Sequence, residues 1–263
     1  MMALAACQDT MASAARATYP LAPAGYHSLV RVADGAAEGG DCNSAIGLYR
    51  RASELWPLDA DVRARLGRCL IRVGAFADAV EVFDTLLRLS PRDATARRGM
   101  ANALISLDRP EAALTHLQVA REVAPEDPRT YNSLGVVEDM LGRHEAAQAQ
   151  YRAGLEREEA NLSLLNNLGL SLALSGKYAE AVALLRPLAI HPAASPRTRQ
   201  NLALVYGLAG EHEQAARIAR LDLDEASVRK NLAFYATLRA LKDARKIVRL
   251  NAGVGEPVAP PRN

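Results

Sequence analysis

The stretch that decides the fold is ADVRARLGRCLIRVGAFADAVEVFDTLLRLSPRD, residues 60–93. Its central alanine, Ala79, stands 34 residues from Ala45 and from Ala113, and the same step leads on to Ala147, Ala181 and Ala215. Alanine is abundant in this chain, so the register needs support from other columns. Thirteen residues before those alanines stand Val32, Leu66, Met100, Leu134, Leu168 and Leu202, each followed by a small residue: Ala33, Gly67, Ala101, Gly135, Gly169 and Ala203. Five residues before them come Gly40, Gly74, Asp108, Gly142, Gly176 and Gly210. Four residues after them come Tyr49, Phe83, Leu117, Tyr151, Leu185 and Ala219, and twelve after them the first three repeats carry Pro57, Pro91 and Pro125.

Each column has a physical reason. The apolar-small pair belongs on a first helix, where a minimal side chain lets a second helix come close. The glycine column marks the turn between the two helices, because glycine, or at some cost aspartate, takes a left-handed backbone. The alanine slot is where helices touch and a larger side chain would overpack the contact. The aromatic residue or leucine one turn later covers the gap, and proline ends the second helix.

A helix-turn-helix unit of 34 residues repeated in this way resembles the tetratricopeptide repeat. The resemblance implies an all-α superhelix, a right-handed α-solenoid of helix-turn-helix units, with units at 26–59, 60–93, 94–127, 128–161, 162–195 and 196 to about 229. End units face water on one side and are expected to be the least regular. In the sixth, Ala219 replaces the large residue and Asp222 falls in an apolar slot, so a short or shifted second helix is expected. From Ser227 onward, Leu232, Tyr235, Leu238 and Leu241 make one helical stripe. The stretch 230–250 therefore reads as a capping helix and the Pro/Gly-rich tail 251–263 as disordered.

Composition agrees with an array of helices. Aromatics are 5% of the 263 residues and β-branched runs are scarce. The formal net charge is +2, with no lysine-rich block, so nucleic-acid binding is not expected. Nor does any apolar stretch reach the roughly 18 to 20 residues that span a bilayer. Cys7, Cys42 and Cys69 form no CxxC pair or metal-ligand cluster. In an oxidising compartment Cys42 and Cys69 can pair; the alternative is that both are small buried apolar residues.

Catalytic signatures are missing. His27, His116, His144, His191 and His212 are scattered, and both HE dipeptides lack the second histidine of HExxH, reading HEAAQ and HEQAA. The sequence contains no GxxxxGK[ST], GxGxxG or GxSxG. No enzyme, metal or cofactor is expected.

What remains is a surface. The concave wall of stacked hairpins is lined by first-helix residues. The inward slots carry Arg65, Arg68 and Arg72 in the second unit, Arg98 and Asn102 in the third, Asn132 in the fourth, Asn166 and Asn167 in the fifth, and Gln200 and Asn201 in the sixth. Asparagine matches a peptide backbone with both a carbonyl and an amide, and arginine offers a planar fork to carboxylates. An extended, partly acidic peptide or a partner helix is the expected ligand; alternatively these residues only solvate the wall. The dicarboxylate clamp of chaperone-binding repeat proteins is not expected, since its slots hold Val30, Asp34 and Ala64.

Two features bear on location. Leu4-Ala5-Ala6-Cys7 resembles a bacterial lipobox, though an alanine-rich chain also produces such a tetrad by chance. The segment 1–25 then reads as a lipobox remnant and a flexible tether, with Met1 or Met2 an internal start and the signal lying upstream. Gln8, rather than aspartate, follows the cysteine, which by resemblance implies the outer membrane. The phrases SPRTRQNLALVYGLAG (195–210) and VRKNLAFYATLR (228–239) are similar to the TadD-like lipoproteins of the tight-adherence (Flp) pilus machinery. That resemblance implies a periplasmic scaffold, lipid-anchored through Cys7, whose partner is the pilus secretin or another component of the machine. A soluble cytoplasmic repeat adaptor that binds a signalling or transcription partner is the competing expectation.

Overall fold

The computed structural model describes residues 22–57, 59–191 and 194–241. Cys7, most of the tether, the 242–250 part of the expected capping helix and the 251–263 tail lie outside the described residues.

Among the described residues all regular structure is helical, in the order α1 (Tyr26–Glu38), α2 (Cys42–Leu55), α3 (Ala60–Arg72), α4 (Phe76–Leu89), α5 (Ala94–Ser106), α6 (Pro110–Val123), α7 (Pro128–Met140), α8 (His144–Leu155), α9 (Leu162–Leu174), α10 (Tyr178–Ile190), α11 (Pro196–Ala209), α12 (His212–Ala219) and α13 (Glu225–Leu241). The first helices of the six hairpins begin at 26, 60, 94, 128, 162 and 196, the same step of 34 that the alanine column sets. The all-α superhelix expected from the sequence is the observed fold.

Local chemistry sets the boundaries. The turn column is left-handed throughout, and Asp108, at φ 59°, is the non-glycine residue in it. Each of α2, α4 and α6 ends on a residue with φ near −135° and ψ near 80° (Trp56, Ser90, Ala124), the extended backbone demanded by the proline that follows. Asp59, Asp93, Asp127, Asn161 and Ser195, again 34 apart, cap α3, α5, α7, α9 and α11 by accepting a backbone N–H. Each such cap contributes about 1 kcal/mol.

Packing explains the remaining columns. Ala45, Ala79, Ala113, Ala147, Ala181 and Ala215 are all fully buried. The Phe83 ring fits between Gly67 of its own unit and Gly99 of the next: a Cβ on either glycine would stand 2.5 Å or 2.3 Å from the ring carbon Cζ. Tyr151 sits over Gly135 and Leu185 over Gly169 in the same manner.

The ends depart from the pattern. Val32 is 57% exposed, whereas Leu202 in the equivalent slot is 0% exposed, because no described unit precedes α1. The short second helix expected in the sixth unit is observed, α12 having 8 residues against 14 in α2. The last helix begins at Glu225, five residues before the 230 assigned from the repeat register, because Asp224 accepts the Ser227 N–H at 2.7 Å and starts it early. Its buried face is Val228, Asn231, Tyr235 and Leu238, with Leu232 only partly covered. Tyr235 lies against Gly207 of α11, so α13 covers the sixth unit as a seventh first helix would.

From α3 to α13, each first helix approaches the first helix of the following unit, and second helices make no comparable approach to one another. The first helices are therefore the inner rank of the spiral and their shared face is its wall. Among the described residues no helix is long and apolar enough to cross a membrane.

Candidate functional site

Every polar residue assigned to the wall from the sequence lies on a first helix, and the structure divides them into three groups. Arg98, Asn166, Gln200 and Asn201 are buried. Arg98 and the Asn166–Asn201 pair reach across to the adjacent first helix or its cap, and the Gln200 amide N–H is held within the sixth unit. Arg98 pairs with Asp127, Asn201 Nδ2 donates to Asn166 Oδ1 at 3.2 Å, and Gln200 Nε2 donates to Asp222 Oδ2 at 3.2 Å. Asn166 also donates to the Leu162 carbonyl at 2.7 Å. These four were expected either to face a ligand or to solvate the wall; as the structure stands they do neither. First helices come so close on the inside of the curve that the slot becomes an interface between units.

Asn102, Asn132 and Asn167 form a second group that stacks and also lines open space. Ser133 Oγ donates to Asn102 Oδ1 at 2.9 Å, and Asn167 Nδ2 donates to Asn132 Oδ1 at 2.9 Å. They share a hollow of about 240 Å³ with Ile71, Ile105, Ser106, Val136, Ser163 and Arg197. The hollow spans α3 to α11, five units of the array.

The third group is cationic. Arg65 pairs with Asp34, Arg72 Nη1 donates to the Ala37 carbonyl at 3.0 Å, and Arg68 is exposed. Burial alone would raise the Asp34 carboxyl, but hydrogen bonds from Tyr49 and Arg65 hold it below the usual aspartate range. Asp127 behaves alike: the Arg129 hydrogen bond and the Arg98 charge outweigh its burial and lower it. Asp222 is lowered chiefly by the hydrogen bond from Arg199, against its partial burial.

Sequence reasoning missed one cluster. Asp139 is buried between α7, α8 and α9 and accepts from Ser171 Oγ at 2.8 Å and from Tyr151 Oη at 3.0 Å, with His144 Nδ1 at 2.8 Å. The signal was an acid in a column otherwise filled by Ala37, Ile71, Ile105, Ala173 and Gly207. Burial pushes the Asp139 carboxyl up, opposed by the hydrogen bonds from His144 and Ser171. Aspartate, histidine and serine in one place invite comparison with a nucleophile triad. Here Ser171 gives its proton to Asp139 rather than to the imidazole, and it is buried, so no nucleophile is activated and no substrate reaches it. The cluster joins the fourth unit to the fifth. No group of three or more His, Cys, Asp or Glu among the described residues could hold a metal ion.

Comparison with known proteins follows the same lines. Family models described as tetratricopeptide repeat match residues 70–135, then 32–94 and 141–196, and 196–220. No curated protein matches the sequence. Among solved structures, a tetratricopeptide repeat protein from Parabacteroides merdae is similar at 16% identity and TM-score 0.63, covering 86% of this chain and 98% of that one. PilF of Pseudomonas aeruginosa is similar at 19% and 0.62, covering 80% and 97%. MamA is similar at 21% and 0.51, covering 76% and 96%. At these identities the likeness shows the fold.

Proposed function

The chain belongs to the tetratricopeptide-repeat family, and from that premise we propose that it is a non-catalytic scaffold holding a protein partner along its first-helix wall. The observation that carries this reading is the hollow at Asn102, Ser106, Asn132, Ser133, Val136 and Asn167. Its amide and hydroxyl groups match the donors and acceptors of an extended peptide backbone, and the Ile71, Ile105 and Val136 methyls receive small apolar side chains. Arg68 and Arg72 at its amino-terminal side give an acidic residue of the partner a place to pair.

The finer part of the proposal rests on sequence. The Leu4–Cys7 tetrad and the 228–239 phrase support an outer-membrane lipoprotein, anchored through Cys7, that assists assembly of the tight-adherence (Flp) pilus machinery in a Gram-negative bacterium. Two experiments test the two parts separately. Incorporation of a fatty-acid label by the full-length precursor, lost in Cys7→Ser, supports the anchor; an unlabelled wild type overturns it. Ser163→Arg and Ser106→Arg, which project a long cation into the hollow, are expected to abolish co-purification of the secretin while leaving the melting curve in place. Unchanged capture by both variants overturns the wall as docking surface.

A further inference from the structure

The structure brings Cys42 and Cys69 together. Cys42 is the first residue of α2 and Cys69 lies near the end of α3; both are buried at 3% exposure in one apolar cluster, and α2 packs directly on α3. The two slots also meet further along the array. In the fourth and fifth units they are held by His144 and Ser171, where Ser171 Oγ lies 3.3 Å from the His144 carbonyl oxygen. In the first and second units both slots hold a thiol, and both thiols are free. Burial, with the Cys42 thiol beside it, pushes the Cys69 thiol up to about 12. Such a thiol is a poor nucleophile once the protein is folded.

We propose that Cys42 and Cys69 are a redox site: a disulfide formed between them during folding staples the first hairpin to the second. The α1–α2 hairpin is the unit that gains from it, because α1 makes only a weak approach to α3 compared with the first-helix contacts further along. In the chemistry, one cysteine thiolate attacks a small disulfide oxidant such as oxidised glutathione, forming a mixed disulfide and releasing one glutathione thiol. The second cysteine then displaces the other glutathione. Two protein thiols are oxidised to one disulfide, the oxidant is reduced to two thiols, and the two protons end on the released glutathione. Because the folded thiols are covered, the bond forms before α2 closes on α3. The exported reading above supplies the compartment where such an oxidant is met; the geometry itself does not depend on that reading.

The test uses full-length Cys7→Ser protein, so that only two thiols remain. It is denatured and reduced, then refolded in a glutathione buffer containing the oxidised form, and the free thiols are alkylated and mapped by mass. The expected result is a peptide pair joined through Cys42 and Cys69, no alkylation at either, and a melting temperature about 5 °C above the same sample with reductant. Cys42→Ala is expected to remove both the link and the shift. Alkylation of both cysteines after refolding, a mixed glutathione adduct that never resolves, or links only between different molecules would each overturn the proposal. None of those results bears on lipid labelling of Cys7, so the two readings fail independently.

Discussion

The polar links along the first-helix wall are ionic at α1–α3 and beside α11, neutral at α7–α9 and α9–α11, and of both kinds at α5–α7. Asp34 with Arg65 and Asp127 with Arg98 serve the first four units, and Asp222 with Arg199 and Gln200 closes the sixth. Ser133 to Asn102 runs beside the Arg98–Asp127 pair, and Asn167 to Asn132 and Asn201 to Asn166 follow it along the wall. The same helix slots thus perform the same stacking task with two chemistries. Amide rungs bring no net charge into the low-dielectric inner face, and it is beside them that the hollow opens. A neutral peptide backbone meets matching dipoles there, while charged residues of a partner are read near the ends.

Arg98 offers the hardest way to break this contrast. Its removal leaves the Asp127 carboxylate, little exposed, with Arg129 alone; Arg98→Met is expected to lose about 3 kcal/mol in chemical denaturation. A loss no larger than that of a surface substitution would make the ionic rungs incidental. Among the amide rungs, Asn201→Ala strands Asn166 Oδ1 and is expected to cost about 1.5 kcal/mol. Asn166→Ala with Asn201→Ala is expected to cost less than the sum of the single changes, because donor and acceptor then vanish together. Stability therefore responds to these two residues.

Acid separates the two kinds of rung. Asp34, Asp127 and Asp222 all titrate below the ordinary aspartate value of 3.8 when folded. Their contribution is present above that value and is lost as pH falls through the lower, folded one. Hydrogen exchange at about pH 3 is expected to speed up in α3, α5 and α11 before α9, and Asp222→Asn is expected to flatten the acid arm for α11. Uniform acceleration along the array would erase the distinction. The smallest expected effect on folding is that of Arg68→Ala, within about 0.5 kcal/mol, since its guanidinium is exposed. Its consequence belongs in the affinity for an acidic peptide, expected to fall and to become less salt-dependent.

How far the sequence carries can be judged from these residues. The hairpins were legible because their determinants are local or a fixed step apart: the left-handed turn at Gly74, the small residue at Gly67, the wedge at Phe83. A further column, Asp59, Asp93, Asp127, Asn161 and Ser195, was equally readable and specifies the caps of five first helices. That these polar residues lie on first helices was legible. Which of them remain open was not, because Asn167 and Asn132 or Asn201 and Asn166 meet only once the spiral's pitch brings side chains 35 residues apart into contact. The same limit hid the Asp139 cluster, whose members come from three helices.

The central claim is that partners dock on the first-helix wall, and site-directed photo-crosslinking in cells tests it most directly. A photoreactive residue is placed at Ser163, in the hollow, and separately at Thr85, exposed on the second helix α4. The account predicts one discrete adduct from position 163, containing a component of the pilus machine and lost when Ser106→Arg is added, with none from position 85. An adduct from position 85 with none from 163 would contradict it.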